Sequence, residues 1–384
     1  MATWDLSAHF APESLPARLR RLADAAEAQH VEADVYGAAA GLQKFETEVA
    51  GLLGKEKGLF FPTGTLAQRA ALHSHLEQLG QPGRLLLHQT SHLVHHDCLR
   101  DGQRQAKRAR LEAEERLPMF KVALVGEFQC PLALKDFEVA GAQVSKGDVV
   151  AVELPQRMNG GRTMAWDDLV KLAAKTREAG ARLHMDGARI WEAQPFYGVE
   201  LRKICELFDS VYVSFYKGLG GMNGAMLCST EGIIGLASQW RARLGGSLFT
   251  LAPHWLDARE QLQSGEGSFA ERFRKLREVV SALSADATVG SAVRFEPPLP
   301  ESCMVHGYLK GTEQDMEEAH AKALKASGIR LWNRLRGRGY ASDGKLDGLA
   351  AEVYFEWNMG PANAAIPTEI YLRGWKAFAE ELNM

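Results

Sequence analysis

Residues 181–221 read ARLHMDGARIWEAQPFYGVELRKICELFDSVYVSFYKGLGG, and two segments within them decide the fold. ARLHMD (181–186) and SVYVSFYKG (210–218) are short apolar runs with the composition of buried strands. Each finishes on one charged residue beside small ones. Asp186 is followed by Gly187 and Ala188, and Lys217 by Gly218, Gly220 and Gly221. In open α/β sheets, ligands bind in the crevice beyond the carboxyl ends of the strands. Taken singly, Asp186 is as compatible with capping the next segment as with pairing a cationic ligand. Lys217 alone reads most simply as a lysine whose stem is buried and whose head is wet.

The surrounding chain repeats the strand and helix alternation. LQKFETEVAGLLG (42–54) predicts an amphipathic helix ending at Gly54. GLFFPTG (58–64) predicts a strand and turn, and TLAQRAALHSHLEQLG (65–80) a helix closed by Gly80. DVVAVELP (148–155) is a strand stopped by Pro155. The helix expected over 166–179 has Asp167 and Asp168 at its start and Lys175 and Arg177 near its end, an order that suits the helix dipole. GAMLCS (224–229) completes the series. Such alternation builds a mostly parallel sheet covered by helices, an α/β fold. Past the Pro-rich EPPLPES (296–302) the elements shorten. The expected organisation is an N-terminal segment (1–35), a large domain (36–265) and a smaller C-terminal α+β domain (266–384).

Composition narrows the function classes. The 384 residues carry 45 Lys plus Arg against 48 Asp plus Glu, a net charge of -3 that argues against a general nucleic-acid binder. The basic run at 100–110, RDGQRQAKRAR, has no interleaved aromatics and reads as a solvated face. Five scattered cysteines without a CxxC pair fit a reducing compartment. With no signal-like N-terminus and no apolar run long enough for a membrane span, the expectation is a cytoplasmic protein with no membrane partner. LHQTSHLVHHD (87–97) holds four histidines but no metal-ligand spacing, so no metal is expected. No GxGxxG turn follows an early strand, which counts against a dinucleotide-binding oxidoreductase.

Together, Asp186 and Lys217 point to pyridoxal 5′-phosphate (PLP). That cofactor needs a lysine to hold its aldehyde and a carboxylate to keep its ring nitrogen protonated. A glycine-lined crevice and a cationic ring would both lower the lysine pKa. Gly64 and Thr65, in PTGTLAQ (62–68), open a helix and are candidates for the phosphate, although a plain turn with an N-cap explains them equally.

These pieces resemble the β-eliminating lyase superfamily of fold-type-I PLP enzymes, specifically its threonine aldolase branch. The matching segments are VYGAAAGLQKFETEVAGLLGKEKGLFFPTGTLAQ, SHLVHHD, VELPQRMNGG, LHMDGARIWEA and SVYVSFYKGLGG, in that order. The resemblance implies a fold-type-I PLP-dependent transferase-like fold. It implies that Lys217 carries the Schiff base, Asp186 faces the pyridinium, Gly64 and Thr65 cradle the phosphate, and His92 stacks on the ring. Arg189 would lie near the cofactor and the substrate carboxylate, with Ser7 as the counterpart of a substrate-binding serine. A homodimer or homotetramer with sites at subunit interfaces is also implied. The expected reaction is cleavage of a β-hydroxy-α-amino acid to glycine and an aldehyde, with His92, then His96, as the base. β-Elimination is the rival within the same chemistry, using Tyr216 or Tyr197 as acid. A PLP-binding protein without aldolase activity is the rival outside it.

The chain departs from that branch at several points. DLRSDT becomes DLSAHF, ENTHN becomes ELPQR, and the basic residue of GGMRQ becomes Leu248. Tyr216 precedes the lysine where many relatives have serine. Relatives carry a VRLVTH-like strand whose arginine grips the substrate carboxylate; here AEVYFEWN (351–358) has none. Arg189, Arg336 and Arg338 are the candidates to replace it.

Overall fold

A computed structural model of the chain describes residues 4–80, 83–95, 120–127, 130–265, 267–337 and 352–382. His96, Cys98, the basic run 100–110 and Arg338 lie outside the described residues.

The strands follow the apolar runs. They are β1 (Trp4–Asp5), β2 (Lys57–Phe61), β3 (Gly83–His88), β4 (Phe120–Val125), β5 (Val149–Glu153), β6 (Arg182–Asp186), β7 (Ser210–Ser214) and β8 (Ala225–Ser229). β2 to β8 form one seven-stranded sheet in the order β2-β8-β7-β6-β5-β3-β4. Its neighbours pair in parallel from β4 through β7, whereas β8 runs antiparallel to both β7 and β2. The chain from Ser214 to Ala225 is too short for the crossover that a parallel partner requires, so it reverses instead. This moves one expectation. The strand ends at Ser214, and Lys217 sits in the reversal rather than on the strand.

The helices obey their end signals. Thr63 caps Gly64–Leu79 by accepting from the Leu66 amide, and Gly80 closes that helix in the left-handed conformation at φ 66°. Trp166–Glu178 keeps the expected charge order. Along β6, Leu183 and Met185 enter the large core, while His184 and Asp186 face the Gly64–Leu79 helix side.

The smaller unit is built on β9 (Arg294–Glu296), β10 (Met304–Lys310), β11 (Ile329–Arg330), β12 (Arg336–Gly337) and β13 (Glu352–Asn358). An antiparallel sheet, β12-β13-β10-β9, packs against the helices Phe269–Ala285, Glu313–Ser327 and Thr368–Leu382. Trp332, Phe355, Trp357, Trp375 and Phe378 fill the space between them. The N-terminal segment is divided between the two units. β1 pairs in parallel with β11 and Leu6 enters the small core, whereas Leu22 enters the large one. The Phe269–Ala285 helix is shared as well, with Phe269 and Phe273 in the large core and Leu276 to Leu283 in the small.

Candidate functional site

The strand order reverses direction between β3 and β5. β4 lies outside β3, while β6 and β7 follow on the far side of β5. A switch point of this kind opens a crevice at the carboxyl ends of the strands. The segments after β2, β3, β5, β6 and β7 all start at that edge. They bring Gly64 and Thr65, His92, Glu153, Asp186 and Lys217 to one side of the sheet.

Lys217 is half-buried in the β7–β8 reversal. The reversal is fixed by the Gly220 amide donating to the Lys217 carbonyl at 3.0 Å and the Gly221 amide donating to the Phe215 carbonyl at 2.8 Å. A Cβ on Gly218 would lie 2.6 Å from Glu192 Oε1, so the glycine lets that buried carboxylate pass beside the lysine. Burial lowers the Lys217 pKa, and Arg189 and Arg157 lower it further, against the opposing pull of Asp186 and Glu153. The amine is thereby pushed toward the neutral, nucleophilic form.

Asp186 performs the local task and keeps a charge at the site. Its Oδ1 accepts from the Ala188 amide at 3.2 Å, the capping role, and its charge acts on both Lys217 and Glu153. Glu153 stands directly across from it, in register on β5. Burial and then the neighbouring Asp186 raise the Glu153 pKa. Its two oxygens accept from the His92 amide at 2.9 Å and the Arg157 amide at 3.0 Å. One carboxylate therefore positions the histidine after β3 and the arginine after β5. The VVAVE segment carried the same signal as HMD, a carboxylate ending an apolar strand.

Arg189 donates from Nη1 to Glu192 Oε1 at 2.7 Å, a pair almost removed from water. A cavity of about 140 Å³ opens beside it, lined by His9, Arg189, Glu192, Tyr216, Lys217 and Asn358 among others. Asn358 Oδ1 is buried there with no protein partner. Ser7 is not among the lining residues; its hydroxyl donates to Asp5 Oδ1 at 2.5 Å within a turn. His9 from the same segment lines the cavity in its stead. Tyr197 is spent elsewhere, donating to the Met164 carbonyl at 2.8 Å, and burial raises its pKa.

The strand that lacks the expected arginine carries an acid instead. On β13, Val353, Phe355 and Trp357 alternate into the small core, leaving Tyr354 and Glu356 on the other face. Arg157 reaches across from the large unit to Glu356 at 2.8 Å, and Arg336 approaches the same carboxylate at 3.5 Å. Despite burial, Arg157, then His306 and Arg336, hold the Glu356 pKa below its ordinary value. Arg157 is not legible in the sequence because only packing between the two units brings it to Glu356.

The donor set fits PLP. It offers a lysine of lowered pKa, a strand-end carboxylate whose charge reaches that lysine, and a helix start where Gly64 leaves room only because it lacks a Cβ, which would overlap the Tyr212 hydroxyl. One turn below, the buried Gln68 Nε2 has no partner within the protein.

Comparison with known proteins agrees. The sequence profile of the family described as beta-eliminating lyase matches residues 18–288. The Low specificity L-threonine aldolase of Escherichia coli (strain K12) is 30% identical over 234 residues, which is 60% of this chain. That match spans 65% of the E. coli protein, a little under two thirds of its length. Among solved structures, a Listeria monocytogenes EGD-E protein named as an L-allo-threonine aldolase candidate superposes at a TM-score of 0.82. It is 30% identical, with 98% of this chain and 96% of that one covered. An Exiguobacterium sp. 255-15 protein, named as a candidate aromatic amino acid beta-eliminating lyase/threonine aldolase, gives 0.81 at 26% identity, covering 99% and 97% of the two chains. Members of the family are PLP-dependent and share the fold-type-I architecture. On its profile, fold and site chemistry, this chain belongs to the beta-eliminating lyase family, on its threonine aldolase-like side.

Proposed function

We propose that this chain is a PLP-dependent lyase that cleaves the Cα–Cβ bond of a β-hydroxy-α-amino acid, giving glycine and an aldehyde. The observation that carries the reading is the meeting of Lys217, Asp186 and Arg189 at the sheet's carboxyl edge, with lysine and arginine lining one cavity. PLP, when bound, supplies the electron sink for the breaking bond. Lys217 would hold it through an amine that burial keeps available, and Asp186 would keep its ring nitrogen protonated. Gly64 and Thr65 would meet its phosphate, and His92, fixed through its amide by Glu153, would pack on the ring. Arg189, oriented by Glu192, would pair with the substrate carboxylate. Among the described residues no helix is long and apolar enough to cross a membrane. We take the working protein to be a homo-oligomer of two or four chains, as its resemblance implies, and to work in the cytoplasm, as its scattered cysteines without a CxxC pair suggest.

One observation favours β-elimination as a second reading. Tyr216 lines the cavity, and its ring centroid lies 5.9 Å from Lys217 Nζ, where a phenol could protonate a leaving group. Product identity separates the two readings. Threonine, allo-threonine and a β-aryl serine are offered to the holoenzyme. Glycine with an aldehyde is the expected result, and ammonia with a 2-oxo acid that keeps the side chain (2-oxobutanoate from threonine or allo-threonine, an arylpyruvate from the β-aryl serine) would transfer the assignment to elimination.

A further inference from the structure

The cavity that holds Lys217 has an imidazole in its wall, and it belongs to His9 rather than to the histidine-rich run. Both ends of its segment are pinned. The Leu6 carbonyl accepts from Trp357 Nε1 at 2.9 Å and Asn363 Nδ2 at 3.1 Å, and the His9 carbonyl accepts from the Ala362 amide at 3.2 Å. Gly360 lies so close that any Cβ would overlap the His9 backbone. On the other side, Phe10 packs against Gly220 of the Lys217 turn, where a Cβ would stand 2.7 Å from the ring. The segment thus bridges the small unit and the turn that carries the lysine, with His9 between its two anchors.

The ring is oriented as well. Its Nδ1 is 3.3 Å from the Ser7 carbonyl, which can only accept, so Nδ1 carries the hydrogen and Nε2 carries the lone pair. Phe10 meets the ring edge-on, at a centroid distance of 5.2 Å. His9 keeps part of its surface exposed, and the partial burial of the residue lowers its pKa; Arg189 and Arg272 lower it further, while the Ser7 bond and Glu192 oppose them. The imidazole is therefore neutral at pH 7, the form that accepts a proton.

We infer that His9 Nε2 is the proton acceptor for the substrate's β-hydroxyl. This inference rests on the aldol-cleavage reading above. As the β-oxygen gives its proton to Nε2, the O–H electrons become the second bond of the aldehyde carbonyl. The Cα–Cβ pair stays with Cα, which takes up a proton to complete glycine, so nothing is oxidised or reduced overall. His92 is then left to its place at the β3–β5 switch, where its amide is held by Glu153.

The test uses the holoenzyme and two variants, His9→Gln and His9→Ala. Two readouts are taken: the glycine-induced change in visible absorbance, which needs no β-hydroxyl proton transfer, and the pH dependence of threonine or β-aryl serine cleavage. The expected result is glycine affinity within about threefold of wild type and kcat down by about 100- to 10,000-fold, with the acidic limb of the wild-type profile, below pH 6.5, missing from the variants. Cleavage within about threefold of wild type, with that limb intact, would overturn the inference and leave the lyase reading standing. Loss of glycine binding or of bound cofactor in both variants would overturn it too, since His9 would then be a binding or structural residue. A wild type that releases no aldehyde from any of these substrates would remove the lyase reading itself.

Discussion

At the scale of single residues, the site depends on charges placed where water is scarce. Asp186 has one oxygen engaged by the Ala188 amide, yet its charge still reaches Lys217. A charged hydrogen bond to a ring nitrogen is worth about 1.5–3 kcal/mol, or roughly ten- to a hundredfold in affinity. Asp186→Ala should therefore weaken cofactor retention by that factor, as measured by equilibrium dialysis followed through visible absorbance. Unchanged retention would contradict the ring-protonation role. Much at this scale was legible. A charged residue ending an apolar run, with glycine next to it, points to Asp186 and Lys217; the first half of that rule alone also marks Glu153 at the end of VVAVE, which Leu154 follows. His9 stands in the DLSAHF segment, whose resemblance to the family's start points to Ser7 instead. Arg157 could not have been read, because its partner Glu356 lies 199 positions away and packing alone joins them.

At the scale of elements, the Gly64–Leu79 helix is tied to the sheet by a buried polar chain. His75 Nε2 lies 2.6 Å from Ser210 Oγ, Ser210 Oγ lies 2.7 Å from His184 Nδ1, and His184 Nε2 lies 2.5 Å from Gln68 Oε1. The amide oxygen can only accept, so His184 donates from Nε2, and a neutral ring then accepts from Ser210 at Nδ1. Burial agrees, pushing the pKa of His75 and of His184 down to about 3. In the unfolded chain both would protonate near pH 6.5. Between pH 6.5 and about 3 the unfolded state binds more protons, so stability falls as pH drops through that window, by about 1.4 kcal/mol per pH unit for each histidine. Denaturant melts between pH 7 and pH 5 should show this loss, and His184→Asn should reduce its slope by at most about 1.4 kcal/mol per pH unit, since His75, His88 and His306 keep their own contributions. An unaltered slope in that variant would contradict the account. Periodicity and end signals predicted the elements themselves well, including the closures at Gly54 and Gly80. They did not give the antiparallel course of β8, which follows from the length of the loop before it and not from the strand's own residues.

At the scale of the whole molecule, the site lies on a seam between two units. The sheet edge supplies Lys217, Asp186 and Glu153, while the small unit supplies Glu356, Asn358 and the bed on which His9 rests. The change of texture beyond residue 265 points to a smaller C-terminal unit, and a C-terminal antiparallel sheet packed with helices is found there. The return of β1 to pair with β11 was not legible, because a two-residue strand carries no periodic signal. Everything functional in this arrangement depends on Lys217 being the residue that holds the cofactor. The direct measurement is borohydride reduction of the purified protein, followed by proteolysis and mass mapping of the pyridoxyl group. The account predicts a visible band that vanishes on reduction, with the label on the peptide containing Lys217 and absent from Lys217→Ala. A colourless protein after incubation with PLP, or a label on a different lysine, would contradict it.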